Sequence, residues 1–197
     1  MPTAPDGWPR PARSAGPGDA AGHRSRGGRG SVVCLRSTTG LVAVTLSVPD
    51  RLDLSSVVHR YAAAVDDRDV DAVLELFASD GELVLPEPPD VLTPPARSHR
   101  GRGAIREALA AVTSVGRTHH SIDSEVYTAG PDSDVAQGGR IAATAHHWSR
   151  ASEGITDLVW YLRYDDEYQR SDSGGWLLTR RALIIDAIET RPARRLR

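Results

Sequence analysis

The sequence lacks the residues that mark several familiar protein classes. Its 197 residues hold one cysteine, Cys34, so no intramolecular disulfide can form and a reducing, cytoplasmic setting is expected. No apolar run approaches the roughly 18 residues that a membrane helix needs, which predicts no membrane partner. The formal net charge is −2, without the basic excess that attracts nucleic acid or an anionic lipid surface. Also missing are a glycine-rich phosphate loop behind a strand, a Gly-x-Ser-x-Gly elbow and Cys/His pairs at metal-ligand spacing. With 40% apolar residues the chain nevertheless has material for one real core.

Charge is unevenly spread. Before residue 41 six arginines face two acids, so that segment carries about +4 and the remainder about −6. Residues 1–45 are rich in Pro, Gly, Arg and Ser, show neither helical nor strand period, and are expected to be disordered. An alternative expectation is an over-long reading frame, because Met1 is the only methionine and the stretch from Val44 is a natural start if valine is read there. A domain is expected over 46–190, followed by an Arg-rich tail over 191–197.

Apolar residues Leu54, Val57, Val58, Tyr61 and Val65 recur at helical spacing, and Val70, Val73, Leu74 and Phe77 form a second set after the charged break 66–69. Two helices therefore meet at an acidic elbow. Asp69 is placed to cap the second helix, and Ser79, Asp80 and Gly81 are expected to end it before a strand over 82–85. The segment 86–95 holds five prolines and must be a loop, either solvated or a lid. A third helix follows Gly101, with Ile105, Leu109 and Val112 on one face, and then four strands over 117–127, 135–150, 155–170 and 176–188. Their turn chemistry is that of hairpins. Helices followed by a meander predict an α+β domain with a curved antiparallel sheet around about three helices.

Strand alternation places Thr118, His120, Ile122 and Val126 on an apolar face, with His119, Ser121, Asp123 and Glu125 opposite. His120 is thus an inward imidazole, either a satisfied core histidine or a general acid/base. On the next strand His146 shares a face with Thr144 and Trp148, and His147 with Ala143 and Ala145; both faces are apolar, so period alone leaves the choice open. Trp160 and Tyr164 lie on the apolar face of the following strand as core or ligand-lining residues. Asp186 on the last strand is a second pocket acid or half of an ion pair with Arg180.

The pattern Tyr61-x-x-x-x-Asp66-x-x-Asp69, the Leu-Phe-Ala-x-Asp-Gly stretch ending at Gly81, the His120-x-Ile122 strand and the terminal Tyr164-x-x-x-Tyr168-x-Arg170 hairpin with Gly175-Trp176 resemble SnoaL-like proteins of the nuclear transport factor 2 superfamily. The resemblance runs to about Ile188 and implies a cone-shaped cup used by isomerases, dehydratases, hydrolases and binding modules. Residues 118–122 and 144–146 resemble the segments that carry the two catalytic histidines of its scytalone dehydratase branch, and Asp66 falls at the catalytic aspartate. The resemblance therefore implies Asp66, His120 and His146 as catalytic; Tyr61, Trp148, Trp160, Tyr164 and Asp186 are expected, from the reading of the residues, around a small hydrophobic substrate. Val65 and the aliphatic stretch 83–85 stand where that branch has tyrosines, which points away from scytalone itself. What remains is a lyase, isomerase or hydrolase for a carbonyl or aromatic compound, with no cofactor and no metal, acting as a homodimer. The alternatives are a ligand-binding or dimerisation module, or a small-subunit-like partner of a ring-hydroxylating oxygenase.

Overall fold

The structure is a computed structural model that describes residues 46–86, 96–112, 116–130, 137–151 and 154–194. The expected disordered segment over 1–45, the proline-dense stretch 87–95 read as a loop or lid, and residues 195–197 lie outside the described residues.

Helix α1 spans Val48–Asp67. Ser47 caps it, its hydroxyl accepting from the Asp50 N–H at 3.2 Å, and Pro49 fits the first turn, where no intrahelical donor is needed. Leu54, Val57, Val58 and Tyr61 form its buried stripe. Asp50 also accepts from Arg170 and, at 3.4 Å, from the Trp176 indole, which fastens the start of α1 to the last hairpin. Helix α2 (Val70–Glu75) is capped by Asp69, whose carboxylate accepts from the Ala72 N–H at 3.0 Å.

The second helix is shorter than its apolar spacing suggests. Leu76 closes it and strand β1 (Phe77–Pro86) begins at once, so Ser79, Asp80 and Gly81 lie within a strand. The reason is tertiary: the Leu178 N–H donates to the Leu76 carbonyl at 2.8 Å and Phe77 pairs with Leu178, before the register shifts ahead of Glu82. A Cβ at Gly81 would lie 3.0 Å from the Leu178 carbonyl oxygen and 3.1 Å from that of Ala78. Glycine serves here for close backbone approach, not for a helix stop.

Strand β2 (Ala96–Arg100), unannounced by the sequence, pairs with β1 and leads into α3 (Gly101–Val112). Strands β3 (Arg117–Thr128), β4 (Gln137–Ala151), β5 (Gly154–Arg170) and β6 (Trp176–Ala193) follow as an antiparallel meander. β6 continues to Ala193, past the strand end expected at Ile188. The six-stranded sheet has the order β2-β1-β6-β5-β4-β3 and is antiparallel except where β1 runs parallel to β6. One sheet face packs against the helices, joining Leu54, Val58 and Tyr61 to Ile141, Leu162 and Tyr164 in the core.

A buried ion pair sits within that core. The fully buried Arg181 donates to both Asp166 oxygens, at 2.9 and 2.6 Å, and the Tyr168 hydroxyl donates to the same carboxylate at 2.7 Å. The guanidinium carbon lies 4.1 Å from the Tyr61 ring centroid and 4.4 Å from that of Tyr164. Cation–π contact thus replaces part of the hydration this charge gives up.

Candidate active site

Asp66 lies in the last turn of α1, beside the edge strand β3, and three donors from that strand converge on it. The Thr118 hydroxyl donates to Oδ1 at 2.9 Å, the His120 ring Nδ1 meets Oδ1 at 2.7 Å, and the His120 backbone N–H donates to Oδ2 at 2.8 Å. Burial alone would raise the Asp66 pKa, but the bonds from His120 and Thr118 outweigh it and hold the carboxyl below its ordinary value. An ionised Asp66 assigns the hydrogen to Nδ1 of His120, so Nε2 carries the lone pair. The His120 side chain is 7% exposed and that of Asp66 19%, so the pair is largely shielded from water.

The second imidazole of this cluster is His147. Across the β3–β4 ladder Thr118 faces His147 and His120 faces Ala145, so these residues share the inner side of the sheet. Ile141, Ala143 and Ala145 are nearly or wholly buried on that side, and this unbroken run settles which face of β4 is the interior. The His147 Nδ1 donates to the Leu158 carbonyl at 3.1 Å, its ring lies 4.3 Å from that of Trp160, and its centroid is 6.2 Å from that of His120. Burial, only partly offset by the Leu158 carbonyl, pushes its pKa down to about 4. His147 is therefore neutral at pH 7, with Nε2 as an acceptor.

His146 is not part of this cluster. It faces His119 across the ladder on the outer side, bonds Asp157 through Nδ1 at 2.9 Å and stacks on Trp148 with centroids 5.6 Å apart. The expectation that His120 and His146 open into one pocket is thus corrected: one residue of strand alternation separates them. Trp148, on the outer side with His146, leaves the expected substrate contacts for the same reason.

Asp186 is also corrected. It lies outside, bound by Arg163 at 2.7 and 2.8 Å, while Arg180 pairs with Glu82 at 3.3 Å. Of the other expected contacts, Tyr61 and Tyr164 pack edge to face deeper in the core against Arg181, and Trp160 lies against His147. A bulge between Ile122 and Ser124 reverses the sides of β3 beyond it: Val126, expected inside, is 59% exposed, while Glu125 and Tyr127 face Ile141 and Gly139.

Beside Asp66 a cavity of about 20 Å³ is lined by Val65, Val70, Val73 and Leu109 with Thr118 and Arg68. Arg68 ends α1 with φ 61°. Its N–H donates to the Val65 carbonyl at 3.1 Å and that of Asp69 to Ala64 at 2.9 Å, the helix ending that normally takes glycine. An arginine in this conformation costs about 1 kcal/mol relative to glycine. Its guanidinium donates to the Gly116 carbonyl. Sequence reasoning missed Arg68, although its place inside the acidic elbow, where a glycine stop was due, was a usable signal.

Residues 47–182 match the family described as a SnoaL-like domain. Among solved structures, a candidate aromatic ring hydroxylase from Novosphingobium aromaticivorans is 23% identical at a TM-score of 0.62, covering 75% of this chain and 96% of that one. A candidate scytalone dehydratase from the same organism is 19% identical at 0.59, covering 75% and 91%. A hexachlorocyclohexane dehydrochlorinase from Novosphingobium barchaimii is 15% identical at 0.59, covering 77% and 99%. At these identities the likeness is one of fold. No curated protein matches the chain.

Proposed function

Because the chain belongs to the SnoaL-like domain family, we propose that it is a cofactor-independent acid/base enzyme, a lyase, isomerase or hydrolase acting on a small hydrophobic carbonyl or aromatic compound. The observation that carries this reading is the two-point attachment of His120 to Asp66, at 2.7 Å through the ring and 2.8 Å through the backbone. A carboxylate on Nδ1 holds the imidazole in one tautomer and stabilises the imidazolium that forms when Nε2 takes a proton. His147, kept neutral, offers a hydrogen-bond acceptor on the same side of the sheet. Elimination is a reaction class that the names of two structures with this fold, a dehydratase and a dehydrochlorinase, bring to the reading.

The test is turnover across a panel of small aromatic and polyketide-like hydroxy-ketones, with loss of water followed by absorbance. His120→Ala should lower kcat/KM by about a hundredfold; an unchanged rate in that variant sinks the reading. The working unit we propose is a cytoplasmic homodimer built on the outer sheet face, where Trp148, His119 and the 38% exposed Tyr161 lie. Light scattering checks it. The second reading, a non-catalytic dimerisation module, is favoured by one observation: the cavity lined by Thr118 and Leu109 has room for roughly one water.

A further inference from the structure

We propose that His119 and His146 form a binding site for a divalent transition-metal cation of the Cu²⁺, Ni²⁺ and Zn²⁺ class on the outer side of the sheet, each giving its Nε2 as a ligand. The site stands independently of the reaction proposed above.

Strand alternation allows each strand one inward and one outward histidine here, so neither 119–120 nor 146–147 can chelate alone. Strand pairing supplies what spacing along the chain lacks. His119 and His146 are partners across the β3–β4 ladder, with ring centroids 6.4 Å apart and 33° between their planes. Both planes follow the indole of Trp148, which comes two residues after His146 on the same side: the angle is 9° for His119 and 23° for His146. The two imidazoles therefore stand side by side over one indole, edge toward edge.

Their carboxylate partners decide which edges meet. His146 Nδ1 bonds Asp157 at 2.9 Å, and Asp157 belongs to β5, on the far side of β4 from His119. His119 Nδ1 is turned to Asp66 Oδ2 at 3.8 Å, beyond the free edge of β3. With the two Nδ1 atoms directed apart, the Cδ2–Nε2 edges face each other across the ladder. Two imidazoles that share one metal, at about 2.1 Å per bond, have centroids roughly 5–6.5 Å apart, and the observed 6.4 Å lies within that span.

A carboxylate on the other ring nitrogen is the usual support of a metal-binding imidazole, because it fixes the tautomer that leaves Nε2 unprotonated and makes that nitrogen more basic. Imidazole nitrogen suits Zn²⁺, Cu²⁺ and Ni²⁺, whereas Mg²⁺ and Ca²⁺ take oxygen ligands. Among the described residues no three His, Cys, Asp or Glu side chains are grouped to hold one ion, so the chain supplies two ligands and water the others. Side-chain exposures of 59% for His119 and 21% for His146 give the ion an entry path. Asp66 thus serves His120 on the inner side of the sheet and His119 on the outer side. The open coordination positions point away from the sheet, where a second copy docked on this side would meet the ion.

The experiment titrates CuCl₂ into the full chain, followed by calorimetry and by tryptophan fluorescence, which bound Cu²⁺ quenches at short range. The wild-type protein should show saturable quenching as the ion binds beside Trp148. His119→Gln and His146→Gln should each move the quenching midpoint to about tenfold higher Cu²⁺ or more. His119 is exposed, so its variant keeps the fold and the shift reads on the metal alone. His59→Gln, at another exposed histidine, should leave the midpoint unchanged. Trp148→Phe should keep the binding heat and lose most of the quenching. Absence of saturable quenching in the wild type, an unchanged midpoint in either the His119 or the His146 variant, or full quenching in Trp148→Phe overturns the proposal.

Discussion

The imidazoles of His120 and His147 meet edge to face, 6.2 Å between centroids, yet they are held by different partners, Asp66 and the Leu158 carbonyl. This arrangement predicts acid sensitivity. In the unfolded chain His147 titrates near 6.5, and in the fold burial lowers it to about 4. Between those values the unfolded chain binds a proton that the folded chain does not, so stability falls as pH drops from 6.5 to 4 and this contribution levels off below. The loss amounts to about 3 kcal/mol. Asp66, held below its ordinary value, adds a loss in the same direction but only below about pH 4. Urea denaturation at pH 7 and pH 4.5 should show the first effect, and His147→Phe should flatten it; an equal slope in that variant would assign the sensitivity elsewhere.

Strand alternation sets the order of effects in a histidine scan. Once a substrate is in hand, His120→Ala and Asp66→Asn should each cost about a hundredfold in kcat. His146→Ala should stay within about threefold, because its ring lies on the outer side with Asp157 and Trp148. Steady-state kinetics on the three variants decides it, and a loss at His146 matching that at His120 would mean that the outer face takes part.

Much of this arrangement is legible in the residues themselves. The stripe of Leu54, Val57, Val58 and Tyr61 places α1, the alternation of 158–164 places β5, and the inward turn of His120 follows from its apolar neighbours Thr118 and Ile122. The failures share one cause, which is that local period cannot see the partner strand. The bulge after Ile122, the register shift after Phe77 and the parallel pairing of β1 with β6 are set by long-range contacts. Small residues on both sides of β4 hide the choice between His146 and His147 until neighbouring elements cover one side.

Gly116 and Gly103 provide a matched pair of backbone tests. A methyl at Gly116 would press into the Trp148 carbonyl at 2.5 Å, whereas a methyl at Gly103, inside α3, would meet nothing within 4 Å. Gly116→Ala should therefore lower stability by about 1–3 kcal/mol and loosen the anchor of Arg68. Gly103→Ala should raise it by up to about 1 kcal/mol through helix propensity. Thermal unfolding of the two variants tests the close approach of β3 to β4; equal effects would remove it.

Arg181 and Asp166 allow the interior charge to be tested by subtraction. Both side chains have no exposure, and burial would by itself lower the arginine's pKa; the Asp166 carboxylate more than reverses this, so the guanidinium stays charged. Arg181→Met leaves a carboxylate in the core with Tyr168 as its remaining side-chain donor, at a cost of about 3–5 kcal/mol. That is a large share of the roughly 5–15 kcal/mol by which a domain of this kind is stable, so the single variant should be barely folded. Replacing Asp166 by Leu and Tyr168 by Phe in the same chain removes every group that needed the guanidinium, and most of the loss should return. Urea midpoints of the single and triple variants measure the difference. A triple variant no more stable than the single would mean that Tyr61 and Tyr164 depend on the cation between their rings, and that the π contacts outweigh the ion pair.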